Sequence, residues 1–192
     1  MRHWGRGIVN PIARAATWAG VTPDSVTFGG FVMTVVVGYL LSRGYVQVAG
    51  GMLIVASFFD AIDGAMARMG NRATRFGAFL DSTLDRFSEA ATFLGILIYF
   101  HGQGATTQIV LTYLALVGSL MVSYTRARAE GLGVPIRGGF LTRAERVVLL
   151  IIFLLLNQLS LALWVLAPLT ILTVLQRVWI MRRATWDDRR PD

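Results

Sequence analysis

Six stretches of this chain, at about 26–42, 46–68, 77–100, 107–125, 146–160 and 161–181, are apolar over lengths near the roughly 20 residues that a helix needs to cross the hydrocarbon core of a bilayer. A chain of 192 residues that is 55% hydrophobic, with a mean hydropathy of +0.59, is too apolar for a soluble domain of this size. The expectation is an all-α integral membrane protein with six transmembrane helices. Only Asn157, Gln158 and Ser160 separate the last two apolar stretches, so one long bent helix would read similarly.

All 18 cations are arginines, and their placement predicts orientation, because loops rich in Arg stay cytoplasmic. With the N-terminus inside, Arg2, Arg6, Arg14, Arg72, Arg75, Arg137, Arg182, Arg183, Arg189 and Arg190 fall on the cytoplasmic side, and the opposite connections hold only Arg43, HGQGATTQ and NQLS. Residues 1–20 lack the uninterrupted apolar core of a signal peptide. There Trp4, Ile8, Val9, Ile12, Ala16 and Trp18 recur at roughly helical spacing between arginines, predicting an amphipathic helix on the inner membrane surface. Residues 1–192 thus read as one membrane-embedded domain: this juxtamembrane helix, a six-helix bundle over 26–181 and a cytoplasmic tail over 182–192. The absence of cysteine excludes thiolate chemistry. The net charge of +7 needs no nucleic acid, since positive-inside bias and anionic lipid account for it.

The stretch FFDAIDGAMARMGNRATRFGAFLDSTLDR breaks this hydrocarbon pattern with four aspartates. Asp60 and Asp63 are three residues apart and Asp81 and Asp85 four apart, so each pair stacks on one face of its helix, and a hairpin would bring the pairs together. Four ionised carboxylates at that depth must be protonated, paired with arginine or bridged by divalent cations. Hard oxygen ligands in this number suit Mg²⁺ or Mn²⁺, and a shared carboxylate would give a two-metal arrangement. Ion pairs with Arg68, Arg75 and Arg86 would neutralise some of the charge but leave the spacing unexplained. Gly64 and Ala67 leave room beside the carboxylates, either for a ligand or for close helix packing.

Asp60, Asp63, Gly64, Ala67, Arg68, Gly77, Asp81 and Asp85 read D-x-x-D-G-x-x-A-R-x8-G-x3-D-x3-D, which closely resembles the signature of the CDP-alcohol phosphotransferases. The resemblance implies a six-helix membrane enzyme, a homodimer in related proteins, that moves a phosphatidyl or similar group from a CDP-linked donor to an alcohol and releases CMP. It makes Asp60, Asp63 and Asp81 metal ligands, with Asp85 near a second metal and placed as general base. Gly64, Ala67, Arg68 and Gly77 then line the site for the cytidine diphosphate. Asp24 and Thr27, in the segment TPDSVT, are further candidate nucleotide contacts, although Asp24 equally suits the N-cap of the first span.

The connection SYTRARAEGLGVPIRGGFLTRAER bears on the acceptor. Ser123, Arg126, Arg128, Arg143 and Arg146 lie at helix ends, and Arg177 lies inside the last span, where an unpaired cation is costly. Such a cluster suits an anionic, phosphorylated alcohol better than a neutral one, while positive-inside bias alone would cover Arg137 and Arg143. DSTLDR, SYTRARAE, GFLTRAER and VLQR are similar to segments of one branch of the family, the bacterial phosphatidylinositol phosphate synthases. That resemblance implies CDP-diacylglycerol as donor and inositol 1-phosphate as acceptor, its phosphate held by Ser123, Arg126, Arg128, Arg143, Arg146 and Arg177. Arg126 stands where the branch often has Lys, and its planar fork changes the geometry offered to an acceptor. Glycerol 3-phosphate, and with it phosphatidylglycerophosphate synthesis, is the competing reading within the family. A small cation transporter is the alternative outside enzymology.

Overall fold

The computed structural model describes residues 4–69, 74–136 and 139–186, with the side chains of residues 4–8 excluded. Arg2, Arg72, Arg137, Arg189 and Arg190, and the side chains of Trp4, Arg6 and Ile8, lie outside what is described. Among the described residues seven helices follow one another: α1 (Trp4–Trp18), α2 (Pro23–Ser42), α3 (Val46–Met69), α4 (Arg75–Gly102), α5 (Thr106–Gly131), α6 (Arg143–Leu155) and α7 (Leu159–Ala184). They fall into two compact units, Met1–Gly95 and Ile96–Asp192.

All six apolar stretches form helices, yet among the described residues only α2, α3, α5 and α7 are long and apolar enough to cross a membrane, which corrects the expected six spans to four. The reason differs for the two that fail. Helix α4 has 28 residues, but even its last 18, positions 85–102, retain Asp85, Arg86 and Glu89. Helix α6 is apolar but has only 13 residues, about 20 Å at 1.5 Å per residue, because the chain turns at Leu156–Gln158. Asn157 takes a left-handed conformation there, φ 56°, so α6 and α7 are separate helices rather than one bent one. Four such spans make this a multi-pass membrane protein.

In the first unit, α1 is not a span, and its stripe Val9, Ala13 and Ala16 packs against Val26 of α2 and Phe58, Phe59, Ile62, Ala65 and Met66 of α3. Ile12 and Trp18, assigned to the apolar face by sequence, are exposed. Thr22 caps α2 by accepting a hydrogen bond from the Ser25 amide at 3.3 Å, with Pro23 in the first turn, where a missing N–H costs nothing. Helices α2 and α4 cross with their backbones touching: a Cβ on Gly95 would overlap the Gly38 carbonyl, and one on Gly38 would overlap that of Ala91. This crossing requires glycine at both places.

In the second unit, α5 packs along α7, and a Cβ on Gly118 would overlap the Thr170 side chain. Thr112, Thr170 and Thr173 are fully buried here, and each hydroxyl donates to a carbonyl of its own helix, so none costs an unmet hydrogen bond. The start of α6 is held by Glu145, whose carboxylate accepts from the Thr142 amide at 2.6 Å; those hydrogen bonds hold its carboxyl below its ordinary pKa.

Candidate active site

The first unit brings Asp60, Asp63 and Gly77 of the signature against the N-terminal half of α2. Asp63 is buried on α3, and its Oδ2 accepts a 2.7 Å hydrogen bond from Thr27 Oγ1, one turn into α2. Thr27 also lies 3.1 Å from the Pro23 carbonyl, so its hydroxyl is held on the side facing α3. Asp60, one turn before Asp63, reaches the same helix: its Oδ1 would stand 3.3 Å from a Cβ placed on Gly30. Sequence reasoning passed over Gly30, which adjoins Asp60 because it lies one turn beyond Thr27; the GlyGly pair at 29–30 was the available signal.

The start of α4 arrives at the same end of α2. Thr74 caps it, with Oγ1 accepting from the Gly77 amide at 2.9 Å, and a Cβ on Gly77 would lie 3.1 Å from Asp24 Oδ1. A glycine at 77 thus keeps the Asp24 carboxylate and the first turn of α4 in contact. Asp24 is not the N-cap of α2, since Thr22 takes that place, and its carboxylate is directed to Gly77. Asp85 is largely covered, 3.4 Å from the Arg86 guanidinium. Arg68 folds back over Gly64, where its Nη1 would be 3.3 Å from a Cβ, so the room left by the glycine holds a guanidinium. Ala67 is half-buried on the same helix.

Asp60 and Asp81 lie close enough to Asp63 for their charges to repel it. Among the described residues no three carboxylate or imidazole side chains are gathered into a ready-made metal-binding group. The donor set is nevertheless the right one for a hard divalent cation: oxygen only, anionic, and with Asp63 already oriented through Thr27.

The second unit holds the arginines. Arg177, 4% exposed, donates from Nη1 to the Val122 carbonyl of α5, while its Nε is buried with no hydrogen-bond partner among the described residues. The charges of Arg126 and Arg146 bear on Arg177 unfavourably, and Glu130 offsets them only in part. Arg146 is equally buried, 4% exposed, with Nη1 3.4 Å from the Leu141 carbonyl. Arg126 is exposed and pairs with Glu130 at 2.9 Å. Ser123 and Arg143 are half-buried; Arg128 is exposed and, with Tyr124, Ile136 and Arg177, lines a cavity of about 180 Å³. Gly139, another residue sequence reasoning passed over, lies against this group: with φ 154°, its Cβ would stand 3.2 Å from Arg177 Nε and Nη2. A buried guanidinium that feels two like charges is a place where an anion is stabilising.

The profile of the CDP-alcohol phosphatidyltransferase family matches residues 20–179, which takes in α2 through most of α7 and both groups of side chains. The chain is a CDP-alcohol phosphatidyltransferase. Among the relatives of this transferase is the phosphatidylinositol phosphate synthase of Mycolicibacterium smegmatis, 40% identical over 184 residues, covering 90% of this chain and 82% of the relative. The archaetidylinositol phosphate synthase of Pyrococcus horikoshii is 37% identical, over 88% of this chain and 87% of its own. In three dimensions the transferase is similar to the Mycobacterium tuberculosis phosphatidylinositol phosphate synthase solved with CDP-DAG bound, with a TM-score of 0.85 and 34% identity over 91% of this chain and 94% of that one. The same enzyme, solved with manganese and citrate, also superposes with a TM-score of 0.85.

Proposed function

We propose that this transferase moves a phosphatidyl group from CDP-diacylglycerol to a hydroxyl of inositol 1-phosphate, giving phosphatidylinositol phosphate and CMP. The observation that carries the acceptor reading is Arg177: a buried guanidinium, one nitrogen of it unpartnered among the described residues, under the charges of Arg126 and Arg146. A phosphorylated polyol supplies the missing acceptor oxygens and negative charge, and a neutral alcohol does not. Glycerol 3-phosphate shares that charge and is the competing acceptor, but the relatives that act on inositol phosphates are similar over nearly the whole chain.

In this reading Asp60, Asp63, Asp81 and Asp85 hold two divalent cations, Mg²⁺ or Mn²⁺, which when bound neutralise the pyrophosphate of the donor. The manganese-bound relative supports the choice of ion. Thr27 fixes the Asp63 carboxylate, and Asp60, Asp81 and Asp85 would supply the remaining protein oxygens. Asp85 takes the proton as the acceptor oxygen bonds to the phosphatidyl phosphorus and the bond from that phosphorus to the CMP oxygen breaks. Gly64, Ala67, Arg68, Gly77 and Asp24 receive the nucleotide, the Arg68 guanidinium over Gly64 being positioned for a phosphate. Arg14, Arg75, Arg182 and Arg183, which four spans leave on one side of the bilayer, support a cytoplasmic membrane location with the aspartates at the cytoplasmic face. A homodimer is proposed as the resemblance implies, and crosslinking in mild detergent that gives only monomer would remove it.

The deciding experiment is CMP release from CDP-diacylglycerol with inositol 1-phosphate, glycerol 3-phosphate, free inositol and glycerol in turn. Turnover with inositol 1-phosphate should exceed the others. Preference for free inositol would defeat the phosphorylated-acceptor reading, and metal uptake into vesicles without CMP release would revive a transporter.

A further inference from the structure

The C-terminal end of α7 carries a feature that neither the aspartates nor the buried arginines use. Trp179, Arg182, Arg183 and Trp186 follow the spacing i, i+3, i+4, i+7, the last just past the helix end, so they form one face. The two cations are stacked on the two rings: Arg183 lies 3.8 Å from the centroid of Trp179, and Arg182 lies 5.5 Å from that of Trp186. Among the described residues these four line a shallow depression of about 470 Å³, and Trp179 and Trp186 are 52% and 55% exposed. Stacking occupies one face of each guanidinium and leaves its N–H edge free, held in a fixed direction. The partial negative charge of a helix C-terminus keeps both cations in place.

The length of α7 says what lies over this face. Its 26 residues measure about 39 Å, roughly 9 Å more than the hydrocarbon core, and the other end is marked by the polar Asn157 and Gln158. The last turns therefore stand in the headgroup layer, where Trp is favoured and where guanidinium groups meet lipid phosphates. We propose that Trp179, Arg182, Arg183 and Trp186 form a binding face for the headgroups of anionic phospholipids, distinct from the acceptor arginines. Rings seated among the headgroups hold two pre-stacked guanidiniums at phosphate height, so an anionic lipid is selected over a zwitterionic one.

The test uses the full-length transferase in phosphatidylcholine bilayers doped with brominated phosphatidylglycerol or with brominated phosphatidylcholine, read by tryptophan quenching. Wild-type protein should be quenched at lower fractions of the anionic lipid, and the preference should fall about fivefold for each arginine removed, the scale of one cation at an anionic surface. The double variant Arg182→Gln/Arg183→Gln should lose the preference. Trp179→Phe/Trp186→Phe should lose most of the difference in quenching. Turnover in detergent micelles, with CDP-diacylglycerol the one anionic lipid added, should stay at the wild-type level in both, which reports an intact fold. Wild-type protein that shows no preference, or an arginine double variant that keeps it, overturns the proposal. If that double variant fails to turn over in these micelles, Arg182→Lys/Arg183→Lys decides: a preference undiminished without stacking would equally overturn it.

Discussion

Thr27 Oγ1 on α2 donates a 2.7 Å hydrogen bond to Asp63 Oδ2 on α3, joining residues 36 apart in sequence. A buried carboxylate held by a hydroxyl presents its other lone pairs in one direction, and orienting partners of this kind tune metal sites. Thr27→Val keeps the shape and removes the donor. Hydrogen bonds to charged groups are worth about 1.5 to 3 kcal/mol, so Mn²⁺ affinity should fall roughly 10- to 150-fold. Thr27→Ser should recover most of it. Titration of Mn²⁺ into the two variants measures the difference, and equal affinity in both would show that the hydroxyl does not act through the metal.

The aspartates should separate by role. Asp60→Asn and Asp81→Asn should abolish CMP release and weaken divalent-ion binding, and chelator should silence the wild type. Asp85→Asn should leave donor binding largely intact while turnover drops by roughly 10²-fold or more, the scale of a lost general base. A matching collapse of donor affinity would assign Asp85 to the metals instead.

Arg177→Ala tests the acceptor pocket. Losing one charged hydrogen-bond donor should raise the KM for inositol 1-phosphate roughly 10- to 150-fold, while the apparent affinity for CDP-diacylglycerol stays near wild type. Initial rates with each substrate varied in turn give both values. A change confined to the donor would take Arg177 out of acceptor recognition.

Gly95→Ala should destabilise without touching either group of charged residues. The added methyl would overlap the Gly38 carbonyl, and backbone cannot yield as a side chain can, so α2 and α4 must separate. Overpacking of this kind typically costs about 1 to 3 kcal/mol. The melting temperature in detergent should fall, whereas Gly51→Ala, with nothing within 4 Å of its Cβ, should leave it unchanged or raise it.

What the sequence determined by itself was whatever helical periodicity alone can place. The spacing of Asp60 with Asp63 and of Asp81 with Asp85 puts each pair on one face of a single helix, so the family signature could be read without knowing how the helices pack. The apolar runs located all six helices that follow α1 for the same reason. Tertiary structure decided everything that depends on how one helix is rotated against another. The Thr27–Asp63 bond, the approach of Asp60 to Gly30, and the contact of Arg177 with Val122 55 residues away arise from helix crossings that no local pattern encodes. The number of spans also changed, because apolar content says that a segment is buried but not in what. Among the described residues, the charges of α4 and the turn at Asn157 leave four helices with enough uninterrupted apolar length to cross a bilayer.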